Sequence, residues 1–572
     1  MALPQPSPNI VGIVPYKVPR HGAPMDLLLD GIGGLPSPVD LFRGLDDADP
    51  ELLVRAYPSS DKLAAALAAK VGVTPDRLIV TSGGDDALDR ACRSLLAPGR
   101  SIVLPVPTFE MIERYARWTG ATLRHVDWSH GDYPVEAVIA AADETTTAVA
   151  VVSPNNPTGA VISASELRRL SAALPNAVLL VDLAYVEFAD EDLTSVVVTL
   201  PNAVGFRTMS KAYGLAGLRV GYAFGVAEVI GWMRAAGNPY TVSGPSIHLA
   251  LKRLVDAHDV VHAYIDRVRA QRDGLADLLA GLGAKPMRSQ ANFVFSRTDK
   301  ADWVRDGLAG LGIGVRTWPG HPMLGDAVRI NVPGEDTVLE RLSHALQTVL
   351  APQAVLLDMD GVIADTSASY RESIVRTCAQ FGVTITHADI AEVKAKGNAN
   401  NDWVVTQRIL AANGIDVPLD EVTRRFEDLY QGVDGVPGLK TTERLLFSRA
   451  AFEALSKRYP IAIVTGRPTK DAHEFLEMHD LKPFIQVVVC MEDGPCKPDP
   501  FPVREALRRL GLTRAWMVGD TPDDVRASRA SGVVPLGVPS PGEDVARATD
   551  TLTASGAARV LPDITHLPEL LP

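Results

Sequence analysis

Short apolar runs alternate with helical stretches along this chain, and no other feature constrains its fold as strongly. Between Arg77 and Ser210 the runs RLIVTS, SIVLPVP, TLRHVDW, TAVAVVSP, AVLLVDLAY and AVGFRTMS are separated by helical patterns, clearest at about 85–96, 110–119 and 164–173. Strand, helix, strand at this spacing predicts a parallel sheet with helices on both faces, an α/β fold. In such sheets ligands bind at the carboxyl ends of the strands. The polar residues that close the apolar runs are therefore the first candidates for chemistry. Residues 1 to about 40, rich in Pro and Gly, predict an extended arm with turns at Gly31, Gly33 and Gly34. After about Asn238, long helical patterns, then GIGVRTWPG and AVRINVP, predict a smaller α+β lobe.

LIVTS ends at Gly83-Gly84-Asp85, where a helix begins. The free N–H groups of that helix start suit a phosphate, and a plain strand-to-helix turn reads equally well. Asn156, in SPNNPTG, stands before a Pro-Thr-Gly turn at a strand end. Asp182 closes the apolar strand of LLVDLAYVEF. A carboxylate buried there needs a cation, because burying it alone costs several kcal/mol. A protonated pyridine nitrogen or a structural salt bridge would each serve. Lys211 is the centre of RTMSKAYGLAGLRVG, among small and hydroxyl residues and eight positions before Arg219. That setting fits an amine held beside a phosphate, as in a pyridoxal phosphate (PLP) Schiff base, and also fits a lysine on a surface loop. Arg316 and Arg329 lie near the ends of short β-runs, as forks for a carboxylate or phosphate or as surface residues.

At Ala351-Pro352-Gln353 the pattern restarts with AVLLDMDGVIADT. Residues 366 to about 450 are mostly helical, and IAIVTGRP, FIQVVVC, RAWMVGDTPDDV and VVPLGV then each end a strand in polar residues. The spacer is short and not flexible in composition, which predicts two closely packed units. A chain of 572 residues exceeds one core, and about two to four domains are expected. The net charge of -13 argues against nucleic-acid and membrane-surface partners and for a soluble protein. Cys92, Cys378, Cys490 and Cys496 are scattered with no CxxC pair, so neither a disulfide framework nor a zinc site is expected, in keeping with a reducing, cytoplasmic setting. The proline-rich start has no apolar h-region, and no run of about 18 apolar residues occurs, so neither a signal peptide nor a membrane span is expected.

Taken together, GGDDAL, PTFE, SPNNPTG, VDLAYVEF, RTMSKAYGLAGLRVG and AVRINV resemble a fold-type I aminotransferase of the histidinol-phosphate aminotransferase-like branch, over about residues 10–350. The resemblance implies PLP as cofactor. It makes Lys211 the Schiff-base lysine and proton shuttle, and Asp182 the partner of the pyridine nitrogen. It puts Tyr185 and Asn156 at the ring's 3-oxygen, Phe109 stacked on the ring, and Gly84, Asp85, Thr208, Ser210 and Arg219 around the phosphate. Tyr57 corresponds to a tyrosine that reaches the phosphate of the other subunit, which implies a homodimer. Arg329 corresponds to the arginine that binds the substrate's acidic group, and Arg316 to a second anion contact. The Asn-Glu-Asn-Pro string usual in the arm of the histidine-pathway enzymes is replaced here by LLLDGIGGLPSP, Leu27 to Pro38.

From about residue 354 to 572 the chain is similar to a haloacid-dehalogenase-superfamily phosphatase with a helical cap. That similarity implies Asp358 as nucleophile and Asp360 as general acid and base. It implies Mg²⁺ held by Asp358, the Asp360 carbonyl and Asp520 with support from Asp524, and a phosphoryl group bound by Thr465 and Lys497. In the cap, Asn398, Asn401 and Trp403 are candidates to meet the substrate, or parts of a capped helix pair. The domains expected are an aminotransferase over 1–350 (large domain about 41–240, small domain about 1–40 plus 241–350) and a Rossmann-like phosphatase over 351–572, its cap at about 366–450. The function expected is transamination with glutamate as amino donor, giving histidinol phosphate, followed by Mg²⁺-dependent hydrolysis to histidinol. The same chemistries, or a PLP-dependent decarboxylation, on another phosphorylated amino or keto acid are the alternative. A catalytically silent half is a third reading, at odds with the presence of Lys211, Asp182, Asp358, Asp360, Lys497 and Asp520.

Overall fold

The computed structural model describes residues 7–31, 33–36, 40–43, 45–46, 48–397 and 401–572. Asn398 and, in the arm, Ile32, Ser37 and Pro38 lie outside them. The described residues divide into two compact units. One comprises residues 1–19, 29–301 and 316–340, the other residues 20–28, 302–315 and 341–572.

The first unit is built on a seven-stranded sheet, in the order 78–81, 221–225, 203–208, 178–182, 146–152, 101–106, 122–127. The six runs read from the sequence are all strands with one direction. The seventh, Gly221–Gly225, was not anticipated and inserts antiparallel between 78–81 and 203–208. The helix Asp61–Val71 precedes the strand 78–81, and Ala164–Ala173 falls where the periodicity put it. The second of these is started by a reciprocal cap between Ser163 and Glu166. The strands pack on Gly83–Leu95 and Ala227–Ala235 through a core that includes Leu88, Cys92, Ile112 and Met233. A four-stranded antiparallel sheet, in the order 316–317, 327–331, 293–297, 285–286, forms the smaller lobe, with Arg316 directly opposite Arg329.

In the second unit six parallel strands run in the order 487–489, 461–464, 354–357, 515–519, 534–537, 559–560. The cap consists of the helices Tyr370–Gln380, His387–Ala395, Asp402–Ala412 and Leu419–Gln431 around their own apolar core of Ile374, Val405, Phe426 and neighbours. Its two connections to the sheet form a short antiparallel ribbon, Ala364–Asp365 against Arg444–Leu445. Residues 302–315 and 341–350 share this unit's core. The Trp303 and Trp516 rings lie 4.6 Å apart, and their indole N–H groups donate to the carbonyls of Val349 and Thr348 at 3.1 and 2.8 Å. Gln353 is fixed at the start of the second alternation, its N–H on the Arg514 carbonyl at 2.9 Å.

Candidate active sites

In the first unit the carboxyl ends of strands 146–152, 178–182 and 203–208 open on a cavity of about 540 Å³. Lys211, Asp182, Tyr185, Asn156 and Phe109 line it. So do Gly84, Asp85, Thr208, Ser210 and Arg219 on one side, and Arg316 and Arg329 on another. Tyr57 does not: it is exposed and stacked on Tyr240, ring centroids 4.7 Å apart.

Each side chain is held by local chemistry. Lys211 follows the strand that ends at Thr208, and its Nζ stands 5.2 Å from the centroid of the Tyr185 ring. The arm crosses this turn so closely that Gly34, at φ +137°, has room for no side chain: a Cβ there would sit 2.1 Å from the Lys211 carbonyl oxygen. Thr208 Oγ1 donates to Ser210 Oγ at 2.9 Å and accepts the Ser210 N–H, which aligns two hydroxyls beside the lysine. Arg219 reaches Asp85 at 2.8 Å over the start of the helix Gly83–Leu95. Asn156 Oδ1 accepts Arg329 at 2.5 Å, and Arg329 also donates to the Asp30 carbonyl at 2.7 Å. The neighbouring Asn155 is structural, bonded to Pro107, Thr108 and Thr158.

Two electrostatic features mark the cavity as a binding site. Asp182 is buried, and its Oδ1 accepts the Ala184 N–H at 3.0 Å. Among the described residues it forms no ion pair, and burial pushes its carboxyl up to about 7. Arg316 and Arg329 are directly opposed across two strands, an arrangement of like charges that costs stability unless anions join it. Glu110 supplies one, 3.3 Å from Arg316, and among the described residues one guanidinium nitrogen of each arginine has no hydrogen-bond partner. The donor set fits PLP: a carboxylate awaiting a cation, a lysine amine, and hydroxyl and amide donors at a helix start.

In the second unit Asp358 follows the strand Ala354–Leu357, and Asp520 and Asp524 follow Ala515–Gly519. One carboxylate oxygen from each lies within 4.8 Å of the others. Lys497 Nζ contacts Asp358 at 2.6 Å, Asp524, and the Val464 carbonyl at 3.0 Å. Burial raises the Asp358 carboxyl well above the carboxylate range despite Lys497. Burial also raises Asp520 to about 7, with Asp524 adding to it. Burial alone would lower the Lys497 ammonium; Asp358 and Asp524 overcome it and raise the group. Clustered carboxylates with too little positive charge form a set of hard oxygen donors that fits Mg²⁺. Thr465 is buried beside them and accepts the Arg467 N–H at 3.1 Å. Asp360 points to Arg467, whose Nε donates to Oδ1 at 2.7 Å.

The structure adds residues that the sequence reading passed over. Tyr16, Glu110, Trp318 and His321 line the first cavity, and Lys394 of the cap ion-pairs with Asp402 at 2.9 Å close to Asp520. Arg467 was legible only as part of a VTGRP turn.

A lysine and a buried strand-end carboxylate on a mixed sheet fit a PLP-dependent enzyme, and an aspartate cluster on a separate parallel sheet fits a hydrolase. The chain belongs to the class I and II aminotransferases, which it matches over residues 47–346, and residues 355–538 match the haloacid dehalogenase-like hydrolases. It is 33% identical over 325 residues to a histidinol-phosphate aminotransferase of Chlorobium phaeovibrioides, covering 55% of this chain and 89% of that one. A stretch of 197 residues is 46% identical to an imidazoleglycerol-phosphate dehydratase of Phytophthora nicotianae; it covers 33% of this chain and spans less than half, 44%, of that relative. The histidinol-phosphate aminotransferase of Sinorhizobium meliloti, solved in complex with pyridoxal-5'-phosphate, superposes with a TM-score of 0.55 at 24% identity, covering 61% of this chain and 98% of that one, and so shares the fold. Among the described residues no helix is long and apolar enough to cross a membrane.

Proposed function

We propose that the protein is a bifunctional enzyme. Its first site transfers an amino group, with glutamate as donor, to a phosphorylated keto compound, and its second hydrolyses the resulting phosphomonoester, with histidinol phosphate favoured as the shared compound. The observation that carries this reading is the pairing, in one chain, of an aminotransferase cavity bearing two opposed arginines with a carboxylate cluster suited to phosphate esters. The names of the two relatives support the imidazole side chain, since both refer to imidazole-bearing phosphate esters.

PLP, when bound, supplies an electron sink for charge developing at the substrate's Cα. With the cofactor in place, Lys211 Nζ would be the group that carries the proton from the substrate's Cα. Asp182 keeps a positive charge on the ring nitrogen, and Asn156 and Tyr185 donate to the ring oxygen. Gly84, Asp85, Thr208, Ser210 and Arg219 hold the cofactor phosphate, and Phe109 covers the ring. Arg329 and Arg316 bind the acidic groups of the two substrates in turn. Tyr57, remote from the cavity of its own chain, serves the cavity of a second copy, so the active form is a homodimer in the cytoplasm.

In the second site Asp358, Asp520 and the Asp360 carbonyl, with support from Asp524, would hold Mg²⁺, which would supply the charge that lets two anions meet. Asp358 attacks phosphorus and the ester P–O bond breaks, with Asp360 giving its proton to the leaving oxygen. Water then attacks the phospho-aspartate, and Asp360 takes the water's proton as the Asp358–phosphorus bond breaks. Thr465 and Lys497 neutralise the phosphoryl oxygens. Purified protein incubated with histidinol phosphate and Mg²⁺ should release inorganic phosphate in a reaction lost in Asp358→Asn. Cleavage of 4-nitrophenyl phosphate without any release from histidinol phosphate would sink the histidinol assignment and keep the phosphatase.

The arm favours a second reading. Asp30 there accepts Arg329 on its backbone carbonyl, in the stretch where the histidine-pathway enzymes carry Asn-Glu-Asn-Pro. On this reading the two chemistries act on another phosphorylated amino or keto acid, or the first site decarboxylates one. A screen of amino donors and keto acceptors with CO₂ detection separates the cases.

A further inference from the structure

Beside the aspartate cluster lies a buried charge network of which the two-step hydrolysis uses Asp360 alone. Arg467 is only 2% exposed and stands in the loop after the strand Ile461–Val464. Its Nε donates to Asp360 Oδ1 at 2.7 Å, and its Nη2 lies 2.6 Å from the same oxygen. On its other side Nη1 donates to Glu443 Oε2 at 2.9 Å. Glu443 is also buried, and its second oxygen accepts Ser369 Oγ at 2.8 Å and Tyr430 OH at 3.1 Å. The guanidinium lies 4.9 Å from the centroid of the Tyr370 ring and 5.3 Å from that of Phe475.

The partners come from different parts of the fold. Asp360 and Arg467 belong to the loops of the parallel sheet. Ser369, Tyr370 and Tyr430 belong to the cap, and Glu443 immediately precedes Arg444–Leu445 of the ribbon that joins the two. A planar guanidinium grips two carboxylates in fixed directions as a lysine cannot. Both of these contacts to Asp360 fall on Oδ1.

We propose that Arg467 is the positioning residue of the acid–base step. Anchored by Glu443 at the cap ribbon, it fixes Asp360 Oδ1 so that Oδ2 passes the proton to the leaving oxygen. Arg467 exchanges no proton itself; the proton goes from Asp360 to the ester oxygen as that P–O bond breaks and the Asp358–phosphorus bond forms. Because its anchors lie on the cap and its ribbon, the alignment depends on the seating of the cap. The inference rests on the phosphatase reading of the second site.

The test uses the full-length, Mg²⁺-loaded protein and two esters of like shape. Phenyl phosphate has a leaving group that needs a proton, and 4-nitrophenyl phosphate has one that does not. In rapid-mixing experiments Arg467→Gln should slow the first turnover of phenyl phosphate about 100-fold, the range of a lost general acid, while nitrophenolate release stays within about threefold and its burst keeps full amplitude. Glu443→Gln should show the same bias more weakly, and Arg467→Lys should fall between Arg467→Gln and wild type on phenyl phosphate. Equal slowing of both esters, or a shrunken burst, would mean a structural role only and overturn the inference. A wild-type protein that cleaves neither ester would overturn the phosphatase reading and the inference with it.

Discussion

Asp182 has a charge problem that the protein alone does not solve. Its buried carboxyl is raised to about 7 from an ordinary 3.8, and among the described residues no ion pair offsets the burial. The folded protein therefore holds a proton between these values that the unfolded chain has released. Stability of the cofactor-free form should be greatest at the acid end of this window and fall as the pH rises through about 7. The loss is of the order of 4 kcal/mol. Asp182→Asn should flatten that part of the profile in thermal melts of the cofactor-free protein, and adding PLP should flatten it in the wild type. An unchanged slope in the variant would mean the carboxylate has a partner when ionised. Lys211→Ala should remove the visible absorbance of bound cofactor and abolish amino transfer while phosphate release continues. Asp358→Asn should do the reverse. Loss of both activities in either folded variant would refute two independent sites.

At the scale of elements, the arm and the lysine turn constrain each other. With φ at +137° and the Lys211 carbonyl 2.1 Å from the place of a Cβ, Gly34→Ala must shift one of them. Strain of about 1–3 kcal/mol at such a position corresponds to PLP binding weakened about 5- to 150-fold, measurable by fluorescence titration. Phosphatase activity should not change. The elements also explain what could be read in advance. Strands such as Val178–Asp182 are apolar runs closed by a polar residue, so both the sheet and its chemistry were legible together. Gly221–Gly225 was not, because GYAFG is three side chains between glycines and becomes a strand only through its two antiparallel neighbours. Arg467 was missed for a related reason: its partners lie 24 and 107 residues away, and no local pattern brings them together. Glu110 is similar, 206 residues from Arg316.

At the scale of the whole molecule, the aminotransferase match runs to residue 346, yet residues 302–315 and 341–350 share a core with the C-terminal sheet. Trp303 and Trp516 are its visible sign. Trp303→Ala removes a buried ring and leaves a cavity, which should cost about 3–5 kcal/mol. Phosphatase activity should then be lost at a lower temperature than in the wild type. A fragment starting at Gln353 should be less stable still, because Trp516 loses both its stacking partner and the Thr348 carbonyl. A fragment as heat-resistant as the intact chain would show that these contacts contribute nothing.

The tryptophan pair has a consequence for heredity. A recombination event that cut the gene at the obvious seam, between codons 350 and 351, would not release the second enzyme whole, since it would leave its supporting segments behind. Such breakpoints should be purged by selection, and the two activities should be inherited, duplicated and transferred as a single locus.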